Sequence, residues 1–401
     1  MFSVKKQILQ AIAAIFLLPA VTSCGSRTVQ THDTIPFVKE ALTDTSASVL
    51  GMLRAFDSRR TEGAIAVVGE TYRAVTLADR LVASDGFDNV DGRSLPDGLP
   101  DFSGETVAVY MDEVNSPYSA MMTGDGEMQL REVSVRTALM ALDTVVRVTP
   151  YDRDNLRWKA PAKVIVLASP LMSEFGFYDI DTLCRMTGKD VPLISPVHAM
   201  MKQAFASHDG ALNIGVWSDG TMLGSGVFRY VFDRMMTPEK AGSTLTELCP
   251  DTDTTGYAGE GFLRFLEMYR NAGAGKKLDV LLVDDGEVDV LQLDEMLQEI
   301  RKAETFAMMN YDNMLSRDFR IVDMTGAVKT ECYRLMRERN LFTHYVAFPQ
   351  VSFYNTVKDE EHPDDAPFVM MELNRRYLKK DTRQFLESNS TAYTEYVSNQ
   401  Y

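Results

Sequence analysis

The sequence predicts an α/β fold of two similar three-layer domains, each with a mostly parallel sheet, and a cleft between them. Three observations predict it. From residue 63 onward, short apolar runs alternate with longer segments of helical period, the pattern of strands joined by covering helices. The chain has 401 residues, more than one ordinary domain of roughly 100 to 200 residues. Apolar residues make up 45% and charged residues 24%, enough to build cores and too apolar for disorder over most of the chain. Four cysteines are too few for a disulfide scaffold,.

The first element is an export signal. Lys5 and Lys6 form a positive start, and Ile8 to Val21 is an apolar stretch broken only by Gln10 and Pro19,. Val21-Thr22-Ser23-Cys24 resembles the lipobox of bacterial lipoproteins. That resemblance implies cleavage after residue 23, acylation of Cys24, and a membrane contact made through the lipidated Cys24. The alternatives are a plain secretory signal with a chance cysteine and a short membrane helix, although the apolar run is shorter than the roughly 18 to 20 residues that span a bilayer. The expected location is the bacterial cell envelope, with the periplasmic and outer-membrane faces both open. Residues 24–57 then read as a tether and a lead-in helix around Val49 to Leu53,.

The strands expected next are Ala64 to Val68, Thr106 to Met111, Lys163 to Ala168, Leu212 to Trp217, Leu278 to Val283 and Arg320 to Val322. Helices are expected at Arg131 to Val146, Met200 to Ala206, Phe262 to Ala272, Leu291 to Ala307 and Lys329 to Arg339,. The first domain is assigned to 58–195 plus 320–385 and the second to 196–319. The polar end, 386–401, is expected to be a loose tail.

In open α/β sheets, ligands bind beyond the carboxyl ends of the strands. The residues there are Gly69-Glu70-Thr71, Asp112 with Pro117-Tyr118-Ser119, Ser169-Pro170, Ser218-Asp219-Gly220-Thr221, Asp284-Asp285-Gly286-Glu287 and Asp323-Met324-Thr325. These exits, in this order, resemble the aspartate/glutamate racemase family. VAVYMDEVNSPYS (Val107 to Ser119) resembles the family's strand, Asp and Pro-Tyr-Gly, with Ser119 replacing the glycine. DVPLISPVHAMMKQAF (Asp190 to Phe205), IGVWSDGTMLGSGVF (Ile214 to Phe228), Leu248-Cys249-Pro250 and IVDMTGAVKTECYRLMRERNLF (Ile321 to Phe342) resemble later pieces in the same order.

The resemblance implies that Asp112, Pro117, Tyr118, Gly220 and Thr221 line a site for a small carboxylated metabolite, an amino acid or peptide fragment. It also implies two catalytic cysteines, and neither is present. Ser169-Pro170 stands where the first thiol belongs, and Asp285 and Glu287 stand where the second thiol and a histidine belong. A positioned acid–base group contributes roughly 10² to 10⁴ in rate, so two-thiol racemisation is disfavoured. The expectation is a degenerate, racemase-like binding protein. The alternatives are an isomerase using carboxylates, with Asp285 or Glu287 on one face and Ser169 or Glu70 on the other, and an envelope protein with a vestigial pocket.

The acidic run Asp284, Asp285, Glu287, Asp289 has three readings: paired carboxylates acting as acid and base, oxygen ligands for a hard cation, or a solvated loop. Its spacing fits no calcium loop, and the five histidines show no ligand spacing, so no metal and no cofactor are expected. A net charge of -16 without a basic patch disfavours nucleic acid,. The family resemblance also implies a homodimer as one arrangement.

Overall fold

The computed structural model describes residues 33–398 except 45–47, 58–60, 123–125, 251–256, 273–274, 285–287, 346 and 362–367. The export signal, Cys24, Asp285 and Glu287 therefore lie outside the described residues.

The strands run in chain order as β1 (Ala64–Gly69), β2 (Thr106–Met111), β3 (Val145–Arg147), β4 (Leu156–Trp158), β5 (Ala162–Leu167) and β6 (Leu193–Ile194). They continue as β7 (Asn213–Trp217), β8 (Thr244–Leu248), β9 (Leu278–Val283), β10 (Leu315–Asp323), β11 (Gln350–Lys358) and β12 (Phe368–Glu372). Eight of them form one sheet in the order β4-β3-β12-β11-β2-β1-β5-β6, and four form a second in the order β10-β9-β7-β8. The second sheet is parallel throughout. The first is parallel except at β11–β12 and β3–β4.

Sequence decides which sheet faces are covered. Every residue of β1 (AIAVVG) and β5 (AKVIVL) is buried, as expected of parallel strands with both faces covered. The one charge in β5, Lys163, is tolerated because it meets Glu105 at 2.5 Å and donates to the carbonyls of Thr61 and Leu341, each at 2.7 Å. In the second sheet alternate residues face opposite ways. Ile214, Val216, Val280 and Leu282 join the large core shared with the first sheet. Trp217, Leu281 and Val283 instead join a separate cluster with Phe262, Phe265 and Leu293 from the helices Ala258–Asn271 and Val290–Lys302.

All six predicted strands are present, and the α/β class with mostly parallel sheets holds. Several expectations are corrected. The two sheets are unequal, with eight strands against four. The boundary at 320 cuts through β10, which pairs with β9 and belongs to the second sheet. Within the segment 24–57, residues 24–32 lie outside the described residues, and the described part holds two helices, Pro36–Thr43 and Ser48–Ala55, where one lead-in helix was expected, with Ile35, Val38 and Leu53 inserted into the core. The predicted helix Leu291 to Ala307 stops at Lys302, where Ala303 adopts a φ of 51°, and a new helix starts at Phe306 behind the Thr305 cap.

The loose tail is replaced by the helices Lys380–Asn389 and Thr391–Ser398. Tyr393 is buried with its ring 5.8 Å from Phe353, and Asp79 accepts hydrogen bonds from the Ala392 backbone and the Ser390 hydroxyl. Those contacts fix an end that looks polar by composition. No helix among the described residues is long and apolar enough to cross a membrane.

Candidate functional site

The exits of β1, β2 and β5 converge at Gly69. Its φ of 153° favours glycine, and an added β-carbon would lie 3.3 Å from the Ser169 backbone nitrogen,. The Gly69 carbonyl accepts the Asp112 N–H at 2.8 Å. This close approach brings Glu70, Asp112 and Ser169 together although they are far apart in sequence.

Glu70 is held from two strands. Its Oε1 accepts the Tyr118 backbone N–H at 2.7 Å, and its Oε2 accepts the Ser169 hydroxyl at 2.8 Å. Asp112 sits one strand over. Its oxygens accept the Tyr118 hydroxyl at 3.0 Å, the Asn115 side-chain amide at 2.9 and 3.0 Å, and the Thr356 hydroxyl at 2.8 Å. Asp112, Tyr118 and Ser169 are fully buried and Glu70 nearly so. The chain Ser169–Glu70–Tyr118–Asp112–Thr356 thus ties the exits of β5, β1 and β2 to β11.

Burial raises the Asp112 pKa, and the hydrogen bonds from Thr356, Asn115 and Tyr118 partly oppose that rise,. The Tyr118 hydroxyl is pushed well above its usual range, first by burial and then by the charges of Asp112 and Glu70. Of the predicted ligand-binding residues, Asp112 and Tyr118 spend their polar atoms on each other, and Pro117 is exposed on the turn before them.

The second sheet contributes a smaller set. Ser218 donates its hydroxyl to Asp284 Oδ2 at 2.8 Å, and both residues are buried. Asp219 accepts the N–H groups of Thr221 at 2.8 Å and Met222 at 3.0 Å, capping the short helix Gly220–Ser225 and leaving Gly220 and Thr221 exposed.

Arg73 joins the two sets. Its Nη2 lies 3.7 Å from Asp219 Oδ2, and its Nε lies 3.9 Å from Glu70 Oε2. Both separations exceed a hydrogen bond, so the guanidinium is placed to meet a carboxylate without first breaking a tight pair. Sequence reading missed Arg73, although its position three residues after Glu70 at the start of the helix Thr71–Val82 was a usable signal,. It also missed Asn115 and Thr356. Asn115 stands three residues after Asp112, whereas Thr356 lies on a strand that sequence reading did not find.

None of the three described cysteines forms a disulfide. Burial raises the Cys184 thiol to about 12 and raises that of Cys332 as well. Cys249 is exposed just past β8. Among the described residues, no group of three or more His, Cys, Asp or Glu side chains is placed to hold a metal ion.

No known family's sequence pattern matches the chain. No curated protein matches it by sequence. Among solved structures it is similar to glutamate racemase from Bacillus anthracis, with 12% identity, a TM-score of 0.44, and coverage of 75% of this chain and 90% of that one. It is similar also to glutamate racemase from Francisella tularensis, solved with D-glutamate, at 13% identity and TM-score 0.45, covering 82% and 96%. For the aspartate racemase of Picrophilus torridus the values are 10% identity, TM-score 0.34, and coverage of 69% and 94%.

Proposed function

We propose that this chain is an envelope-anchored lipoprotein whose body binds a small carboxylated metabolite, an amino acid or peptide fragment, without two-thiol racemisation. The single observation that carries the binding reading is Arg73, a guanidinium between the exits of β1 and β7 with only long contacts to Glu70 and Asp219. A ligand carboxylate there gains charge-assisted hydrogen bonds, and the exposed Gly220 and Thr221 lie beside Asp219 to meet the rest of the ligand. The Val21 to Cys24 lipobox supports the anchor.

Two features support the loss of thiol chemistry. The β5 exit carries Ser169 where the resembling family carries a cysteine. Cys184 and Cys332 are buried thiols with raised pKa, so neither supplies a thiolate near neutral pH,.

A second reading rests on the Ser169–Glu70 hydrogen bond of 2.8 Å, a hydroxyl aligned on a buried carboxylate at a strand exit. In that reading the carboxylates perform proton transfer and the protein is an active isomerase. One experiment separates the two. The protein is incubated in D₂O with each enantiomer of glutamate, aspartate and alanine while the α-proton signal and the melting temperature are followed. A melting shift without exchange supports binding alone. Exchange that Glu70→Gln abolishes establishes the isomerase, and the absence of both leaves a vestigial pocket.

A further inference from the structure

A cavity lies at the end of the first sheet opposite the strand exits, beside the residues that lead into β2 and β11. Its volume is about 600 Å³, and Leu99, Tyr333, Arg337, Phe342, Tyr345 and Phe348 are among the residues that line it. That size falls within the roughly 300 to 1,000 Å³ of small-molecule sites.

One wall is an unusually long connection. Between the helix Thr71–Val82 and β2 the chain forms no regular element, and loops of such length inside compact domains are commonly functional. Carboxylates hold this one in shape. Asp85 accepts the Asp97 and Gly98 N–H groups at 3.1 and 3.0 Å, and Asp101 accepts those of Gly86 and Phe87 at 2.9 and 2.8 Å. Gly104, with a φ of 78°, donates to the Ala347 carbonyl at 2.6 Å, and a β-carbon there would collide with the Tyr345 carbonyl. The loop is thereby locked against the segment that carries Tyr345 and Phe348.

The opposite wall is aromatic. Tyr333 stacks on Phe87 with centroids 4.2 Å apart and meets Phe342 edge-on at 5.2 Å. At the rim, Leu99, Tyr345 and Phe348 are 52%, 73% and 79% exposed. Large apolar side chains grouped at a cavity mouth mark an interaction site, whereas single ones do not. Arg337 supplies a cation. It holds the Asp91 carbonyl at 3.0 Å and the Tyr333 hydroxyl at 3.4 Å, which leaves others of its five N–H groups for a ligand. The carboxylate of Asp101, also in the lining, is occupied by backbone donors.

We propose that this cavity binds a small planar aromatic acid, its rings between Phe342, Tyr345 and Phe348 and its anionic group on Arg337. This site is separate from the strand exits and does not depend on the function proposed for them. The probe is 8-anilinonaphthalene-1-sulfonate, titrated by fluorescence into the folded protein, with N-phenyl-1-naphthylamine as the same ring system without the acid. The expected result is saturable one-to-one binding, at least tenfold weaker for the neutral probe. The double variant Tyr345→Ala, Phe348→Ala is expected to weaken sulfonate binding at least tenfold, and Phe306→Ala, an exposed aromatic elsewhere, to leave it unchanged. Both rim side chains are exposed, so the melting temperature of the double variant should match the parent; if it falls, Phe348→Ala alone is measured. Unchanged binding in the rim variants, or equal affinity for the two probes, would overturn the proposal.

Discussion

Arg73 and Asp219 face each other across the two sheets, with Nη2 and Oδ2 3.7 Å apart. Neither is deeply buried, so the pair itself contributes little to stability. Its position makes it the contact that a carboxylated ligand would exchange. Arg73→Leu is therefore expected to abolish any melting shift caused by glutamate or aspartate, while the stability of the unliganded protein changes by no more than about 1 kcal/mol. A retained shift in thermal titrations would place the ligand elsewhere.

The buried acceptors of Asp112 answer to three donors at once. Asp112→Asn replaces one acceptor oxygen with an amide nitrogen facing the donors Tyr118, Asn115 and Thr356. Leaving a buried donor unmet costs about 1 to 3 kcal/mol. Urea unfolding of the variant should show a loss in that range, and Tyr118→Phe a smaller one.

Lys163 and Glu105 form the ion pair beneath the first sheet, with both side chains almost wholly buried. Burial lowers the lysine pKa and raises the glutamate pKa, each opposed by the partner's charge. Lys163→Met strands Glu105 and is expected to destabilise by about 3 to 5 kcal/mol. The double variant Lys163→Met, Glu105→Leu should recover much of that loss in denaturant melts. If single and double variants lose equally, packing around β5 matters more than the charge.

Lys159 predicts a pH dependence. Its ammonium donates to the Ala141 and Asp143 carbonyls, and burial lowers its pKa from 10.5 to about 7. Below about 7 both folded and unfolded chains hold the proton, and the full cost of burying the charge is present,. Between about 7 and 10.5 the unfolded chain binds more protons than the folded one, so stability rises with pH through that window,. The rise is on the order of a few kcal/mol. Lys159→Met should remove this contribution to the slope of stability against pH.

β1, β2, β5, β7 and β9 were legible because burial on both faces leaves a continuous apolar run, whereas β10 is half-exposed and showed only its short Ile321-Val322 end. β3 and β6 are too short to show such a run, and β4 is exposed throughout. β11 mixes polar with apolar residues, whereas β12 is a short buried apolar run, FVMME, that sequence reading passed over. The strand exits were legible as positions, since Glu70, Asp112 and Ser169 do converge. Their role was not, because sequence does not show whether a carboxylate meets a ligand or its own neighbours. Thr356 decides that for Asp112, and it arrives on an unpredicted strand. Arg73 was within reach, had the first turn after β1 been read as part of the exit.

The pairing of β2 with β11 has a consequence for how the molecule forms. The chain completes β1, β2 and β5, leaves to build the whole four-stranded sheet, and only then returns to place β11 against β2. Until that late strand emerges, the inner edge of β2 stays unsatisfied, open to water or to a neighbouring chain. Closing so distant a contact is slow. The first sheet should therefore be the last to consolidate during refolding, and a polypeptide cut short before residue 350 should be prone to aggregate rather than fold to a smaller domain.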